Sequence, residues 1–190
     1  MHHIYHTHAV ILHARPVGER DMFLSLFTHE FGALSVKVTG VRTIKSKLRS
    51  ALVAGSWIRA DLVRGREIWR LTSAAAETSF FSLPNTARPA YARGLRLIGR
   101  LCRGEQAHDA IYDDMRIFFS LLATGEQKDH PSIEGLFALR VLYHLGYWGD
   151  QELYRPYLTT SFTRELIETF SQTLPVAIPK INQSLHETQL

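Results

Sequence analysis

The sequence has one cysteine, Cys102, in 190 residues. A single thiol excludes an internal disulfide and any cysteine-based structural zinc site. That usage fits a reducing compartment. Long apolar runs are also missing. None approaches the roughly 18 residues needed to cross a membrane as a helix. His3, His6 and His8 break the only apolar stretch near the N-terminus, so no signal peptide is expected there. Catalytic motifs are absent too. There is no Gly-x-x-x-x-Gly-Lys-Ser/Thr phosphate loop, no Gly-x-Ser-x-Gly elbow and no His-Glu-x-x-His. The residues therefore do not point to an enzyme, and no cofactor is expected.

Acid is missing from one stretch in particular. Val38–Leu52 carries Arg42, Lys45, Lys47 and Arg49 and no carboxylate. Between Lys37 and Arg70 nine Lys/Arg face two acids, Asp61 and Glu67, a local net charge of +7. The whole chain is only +4, with a pI near 9.4, so the positive charge is concentrated there. Such a cluster suits a polyanion, above all nucleic acid, because Lys and Arg displace counterions from phosphates. The plainer alternative is a solvated basic loop, which five cations in thirteen acid-free residues disfavour.

The first half reads as β-structure. Strands are expected at Ile4–His13, Asp21–Thr28, Ala33–Thr39, Ser56–Arg64 and Ile68–Ser73. Turns are expected at Ala14–Arg20, His29–Gly32 and Arg64–Glu67. In the third strand Leu34, Val36 and Val38 alternate with Ser35 and Lys37, which puts Lys37 on the solvent face. Lys45–Leu52 has room for one or two helical turns. Five short strands with a helical insert after the third suggest an OB-fold, although periodicity alone does not separate it from an SH3-like barrel. Trp57, Phe31 and Trp69 are candidates for base stacking if their rings face outward.

Composition shifts near Ala74, where Ala74–Glu77 favours helix. Helices are expected over Ala90–Arg103, Gln106–Ala123, Ser132–Leu145 and Thr160–Thr173. A short last helix over Val176–Glu187 is expected to be interrupted by Pro179. The chain is thus a two-domain α+β protein. Residues 1–77 form an OB-fold DNA-binding domain and residues 78–190 an all-helical domain. Neighbouring Asp113 and Asp114 diverge on their helix and are expected as solvated charges. His2, His3, His6, His8 and His13 raise the idea of a metal, but no other ligand type accompanies them, and a polar strand surface is favoured. Cys102 is expected to be structural.

Several motifs, in order, resemble the RecO family of bacterial recombination mediators. They are Val10-Ile11-Leu12-His13-Ala14-Arg15-Pro16, Phe27-Thr28-x-Glu30-x-Gly32 and Lys37-Val38-x-Gly40-Val41-Arg42. Ser46-x-Leu48-x-x-Ala51-Leu52 and Arg64-Gly65-Arg66 follow, and Phe137-x-Leu139-Arg140-x-Leu142-x-x-Leu145-Gly146-Tyr147 adds a helical match. The resemblance implies an OB-fold followed by helices and a cytoplasmic, nucleoid-associated protein. It implies binding of single- and double-stranded DNA and annealing of complementary strands without ATP. It also implies action with RecR and single-stranded-DNA-binding protein to load recombinase. Lys37, Arg42, Lys45, Lys47 and Arg49 match the family's basic DNA-contacting region, with Arg15 and Arg66 beside it. The chain departs from the family where Trp148–Leu153 stands in place of a four-cysteine zinc site, and it is shorter than typical members. The competing reading is an interaction scaffold whose basic barrel face binds an acidic protein partner.

Overall fold

The structure, a computed structural model, describes residues 3–41, 51–149 and 152–188. By its contacts the chain divides into two compact units. One is Met1–Ser82 with Ile98–Asp109; the other is Leu83–Leu97 with Ala110–Leu190. Ile98–Asp109, read above as part of the helical half, thus groups with the barrel.

The first unit is a closed five-stranded barrel with strand order β1-β2-β3-β5-β4. Its strands are β1 (Ile4–Val17), β2 (Asp21–Thr28), β3 (Gly32–Val38), β4 (Trp57–Arg64) and β5 (Trp69–Thr78). All pairings are antiparallel except β3 with β5, which is parallel. This is the OB-fold that the strand pattern suggested. Closure leaves no sheet edge to aggregate. Alternation sends Ile11, Leu24, Leu26, Leu34, Val36 and Val38 inward, where they meet Ile58, Leu62 and Trp69. Val41 and Leu52 are buried in the same core, so both ends of the basic stretch are anchored to it. The possible helical turns at Lys45–Leu52 fall mostly outside the described residues.

Two expectations in this half need correction. The turn at Ala14–Arg20 shrinks to Gly18–Arg20, because β1 continues to Val17 and pairs Pro16 with Met22. Among the described residues β1 pairs with β4 only over Ile4–Val10, so on that side Pro16 lies beyond the ladder, where a strand tolerates proline. Ala74–Glu77 is strand, not helix: Ala74, Ala75 and Ala76 pair with Ala60, Arg59 and Ile58. Helix propensity differences of at most about 0.7 kcal/mol per residue are outweighed by ladder hydrogen bonds at roughly 0.5–1.5 kcal/mol each.

The helices are α1 (Arg88–Leu101), α2 (Asp109–Thr124), α3 (His130–His144), α4 (Arg155–Thr159) and α5 (Arg164–Glu187). α5 replaces the two helices expected over Thr160–Thr173 and Val176–Glu187. It runs through Pro175 and Pro179, which are both exposed. Each proline costs about 3 kcal/mol by deleting one helical hydrogen bond. The carbonyls left over belong to exposed Ser171 and Pro175, where water can replace the lost donor. The opposite face buries Ile167, Phe170, Ala177 and Ile181, worth about 1.5–3 kcal/mol for each large side chain. Packing therefore holds the helix through both breaks. Gly135 of α3 leaves the space that Leu174 and Phe170 of α5 occupy.

Asp113 is exposed as expected, but Asp114 is not. It is 3% exposed, bonded to Arg140 at 2.8 Å and to His144 at 3.2 Å. Arg140, itself buried, also donates to the carbonyls of Tyr157 at 3.0 Å and Thr160 at 2.8 Å. One guanidinium thereby ties α2, α3 and the end of α4 together.

Candidate nucleic-acid interface

The barrel registers place four side chains in one line on the outer surface. Arg15 of β1 pairs with Phe23 of β2, Phe23 with Lys37 of β3, and Lys37 with Arg70 of β5. Strands lie about 4.8 Å apart, so three cations and one ring follow one another across four strands. The adjoining register on the same face is polar: His13 pairs with Ser25, and Ser25 with Ser35. Arg66 is exposed in the turn between β4 and β5, where the Gly65 N–H donates to the carbonyl of Ile68 at 3.1 Å.

The cations of this unit differ in how far they are neutralised. Lys37 pairs with Asp21 at 3.1 Å, Arg64 with Glu105 at 3.2 Å, and Arg59 lies 3.9 Å from Glu77. Among the described residues no carboxylate pairs with Arg15, Arg66 or Arg70. Asp21 also accepts the Gly40 N–H at 3.0 Å. That bond first, and Lys37 second, hold its carboxyl below the ordinary 3.8. The same contact fixes Gly40, at φ +70°, near the start of the basic stretch. The guanidinium of Arg15 lies 5.2 Å from the centre of the Phe23 ring.

Lys37, Arg15 and Arg66 thus lie on the barrel surface, with Lys37 and Arg15 in one row. Arg42, Lys45, Lys47 and Arg49 lie outside the described residues. Arg70 and Phe23 were not singled out in the sequence. Arg70 joins the site only through the parallel β3–β5 pairing, which no local pattern reveals. The candidate stacking rings are turned away from the surface. Trp57 and Trp69 are buried, the Trp69 indole N–H donates to Glu105 at 3.0 Å, and Phe31 packs on Tyr5 and Trp69.

A separate depression on the barrel, a groove of about 460 Å³, is lined in part by His6, His8, Arg59 and Asp61. Its histidines face carboxylates: His6 lies 2.7 Å from Asp61 and His8 2.7 Å from Glu77. Mixed charge makes it a poorer phosphate surface than the Arg15–Arg70 row. Among the described residues no three His, Cys, Asp or Glu side chains converge as metal ligands. No described helix is long and apolar enough to cross a membrane.

Residues 1–80 match the family model described as the N-terminal domain of recombination protein O. Similar full-length proteins include the DNA repair protein RecO of Heliobacterium modesticaldum, 31% identical over 156 residues, covering 79% of this chain and 54% of the relative. RecO of Erwinia tasmaniensis is 30% identical over 145 residues, covering 75% and 58%. RecO of Desulfitobacterium hafniense is 26% identical over 149 residues, covering 76% and 52%. The chain spans little more than half the length of these curated relatives. Its first 80 residues, folded as a closed OB barrel, are the part that matches the RecO N-terminal family model, and over most of its length the chain is similar to these RecO proteins.

Proposed function

We propose that this protein acts in DNA repair and recombination by holding DNA on the outer face of its barrel. The observation that carries this reading is the in-register row Arg15–Phe23–Lys37–Arg70 in a RecO-type N-terminal domain. The row lies on the β2–β3 side, the face that OB-folds commonly use for oligonucleotides. Arg66 and the basic stretch with Arg42, Lys45, Lys47 and Arg49 extend the positive surface. Phosphate contacts of this kind position a strand without reading its bases, so both single and double strands bind with little sequence preference.

Annealing follows from the same charge. Two complementary strands repel each other, and a surface that neutralises both lowers that barrier. Pairing then supplies the driving force, with no nucleotide hydrolysed. In the cell the protein works on the nucleoid with RecR and single-stranded-DNA-binding protein, helping to load recombinase on coated strands. These partners follow from kinship to the RecO proteins.

Fluorescence anisotropy of a labelled single strand across a salt series tests the reading. With about five phosphates contacted, log affinity falls against log salt with a slope near −3.5. The Lys45/Lys47/Arg49→Glu variant and a Lys37/Arg70→Glu variant each lose most of this binding while keeping their fold. A slope near zero, or full binding by both variants, removes the proposal. The alternative is a scaffold that holds an acidic protein. It draws on the Lys37–Asp21 pair, in which this row already accepts a carboxylate. Binding of an acidic peptide with no binding of DNA at low salt selects it.

A further inference from the structure

We propose that Arg15 and Phe23 together form a platform on which one unpaired base stacks, so that the barrel prefers single strands. The inference rests on the DNA-binding reading above and assigns the aromatic contact within it. A cationic face alone does not distinguish strands whose bases are exposed from strands whose bases are hidden in a duplex. A stacking surface does.

The rings that composition suggests for stacking are occupied. Trp57 and Trp69 lie in the barrel wall at 3% and 4% exposure, and Phe31 belongs to the Tyr5–Trp69 cluster. Phe23 is placed differently. It is on the outward register of β2, half-buried, with a cation on each neighbouring strand. A phenylalanine there buries only part of its ring in the protein. The guanidinium of exposed Arg15 lies over that ring, 5.2 Å from its centre.

A guanidinium is planar and weakly hydrated, and its flat faces stack on nucleic-acid bases. A lone surface arginine must be ordered before it can do so. Here the Phe23 ring already holds it, which lowers the entropic cost of stacking. A base laid on the outer face of Arg15 has its backbone beside Lys37 and Arg70, one and two strands from Phe23. His13, Ser25 and Ser35 present hydrogen-bonding groups one register away. In a duplex the base faces are stacked on each other, so only the phosphate part of the interaction survives.

Anisotropy titrations with a labelled oligothymidylate and a labelled duplex of equal length separate the two contributions. The full-length chain is compared with Arg15→Lys, Phe23→Leu and the double variant, each checked by circular dichroism and thermal melting. Arg15→Lys keeps the charge and loses the plane; Phe23→Leu keeps an apolar side chain and loses the ring. Loss of one stacked base weakens binding roughly five- to hundredfold. Each single variant therefore loses single-strand affinity within that range and loses much less on the duplex. The double variant is no weaker than the worse single variant, because one platform is removed twice. Wild-type single-strand affinity in Arg15→Lys, or equal losses on both DNA forms, overturns the platform. A wild-type chain that binds neither DNA form overturns the DNA-binding reading itself, a different result.

Discussion

Asp21 restrains the site that Lys37 belongs to. It holds the Lys37 ammonium at 3.1 Å and the Gly40 N–H at 3.0 Å. Asp21→Asn retains an oxygen for Gly40 and frees Lys37 for a phosphate. One more phosphate contact on single strands steepens the salt slope by about 0.7, which the titration described above reads; an unchanged slope sinks this role. Because the folded pKa of Asp21 is depressed, its contribution to stability is present above about pH 4 and is lost as pH falls through and below that range. Cys102 shows the opposite sign. At 2% exposure its thiol is pushed from an ordinary 9.0 up to about 12 by burial. Stability is intact below pH 9 and declines as pH rises toward 12, where the unfolded chain ionises first. Iodoacetamide should leave the native thiol untouched at pH 8 and label it in urea; rapid labelling of the native protein contradicts this burial.

At the scale of elements, two connections hold the fold against local preference. Gly32 starts β3 at φ +68°, and a Cβ there runs into the backbone of Gln106. The neighbouring Ala33 N–H donates to the carbonyl of Gly104 at 3.1 Å. Gly32→Ala therefore meets both left-handed strain, about 1–2 kcal/mol, and a backbone clash. A loss of at least about 2 kcal/mol in urea unfolding is expected, and a loss below about 0.5 kcal/mol argues against the packing. In the helical unit Arg140 is the equivalent point. Arg140→Ala strands the buried Asp114 and removes the donors to Tyr157 and Thr160. That change costs about 3–5 kcal/mol. The Asp114→Leu/Arg140→Met pair restores much of it, because no buried charge is left alone. A double variant as unstable as the sum of the single ones shows that the two side chains do not act together.

For the whole molecule, the concentration of charge matters more than its total. A net +4 spread evenly would give little affinity for DNA, whereas the proposed phosphate surface draws on the +7 gathered between Lys37 and Arg70. Annealing of complementary oligonucleotides should proceed without ATP, slow as salt rises and weaken in the Lys37/Arg70→Glu variant; a rate indifferent to salt breaks the link between charge and annealing. Much of this architecture was legible beforehand. Alternation in Leu34–Val38 marked a half-buried strand, and the helix expected over Gln106–Ala123 is α2, Asp109–Thr124. Other features were hidden because they depend on distant partners. Ala74–Glu77 becomes strand only when β4 lies beside it. Asp114 is buried only because Arg140 arrives from α3. Pro175 and Pro179 stay inside α5 because packing on the opposite face outweighs them.

The sequence alone determined the properties that nearest neighbours set. These include the strand and helix periods, the basic stretch, the exclusion of disulfides by a lone cysteine, and the ordered motifs that resemble RecO. Each rests on local spacing or on composition. Tertiary structure alone decided which side chains stand together. Arg15, Phe23, Lys37 and Arg70 are spread over 56 residues of chain and meet only when the barrel closes with β3 parallel to β5. Closure also turned Trp57 and Trp69 into the wall and left Phe23 outside. A hydrophobic pattern states how many rings can be buried, whereas strand register chooses which of them face the solvent.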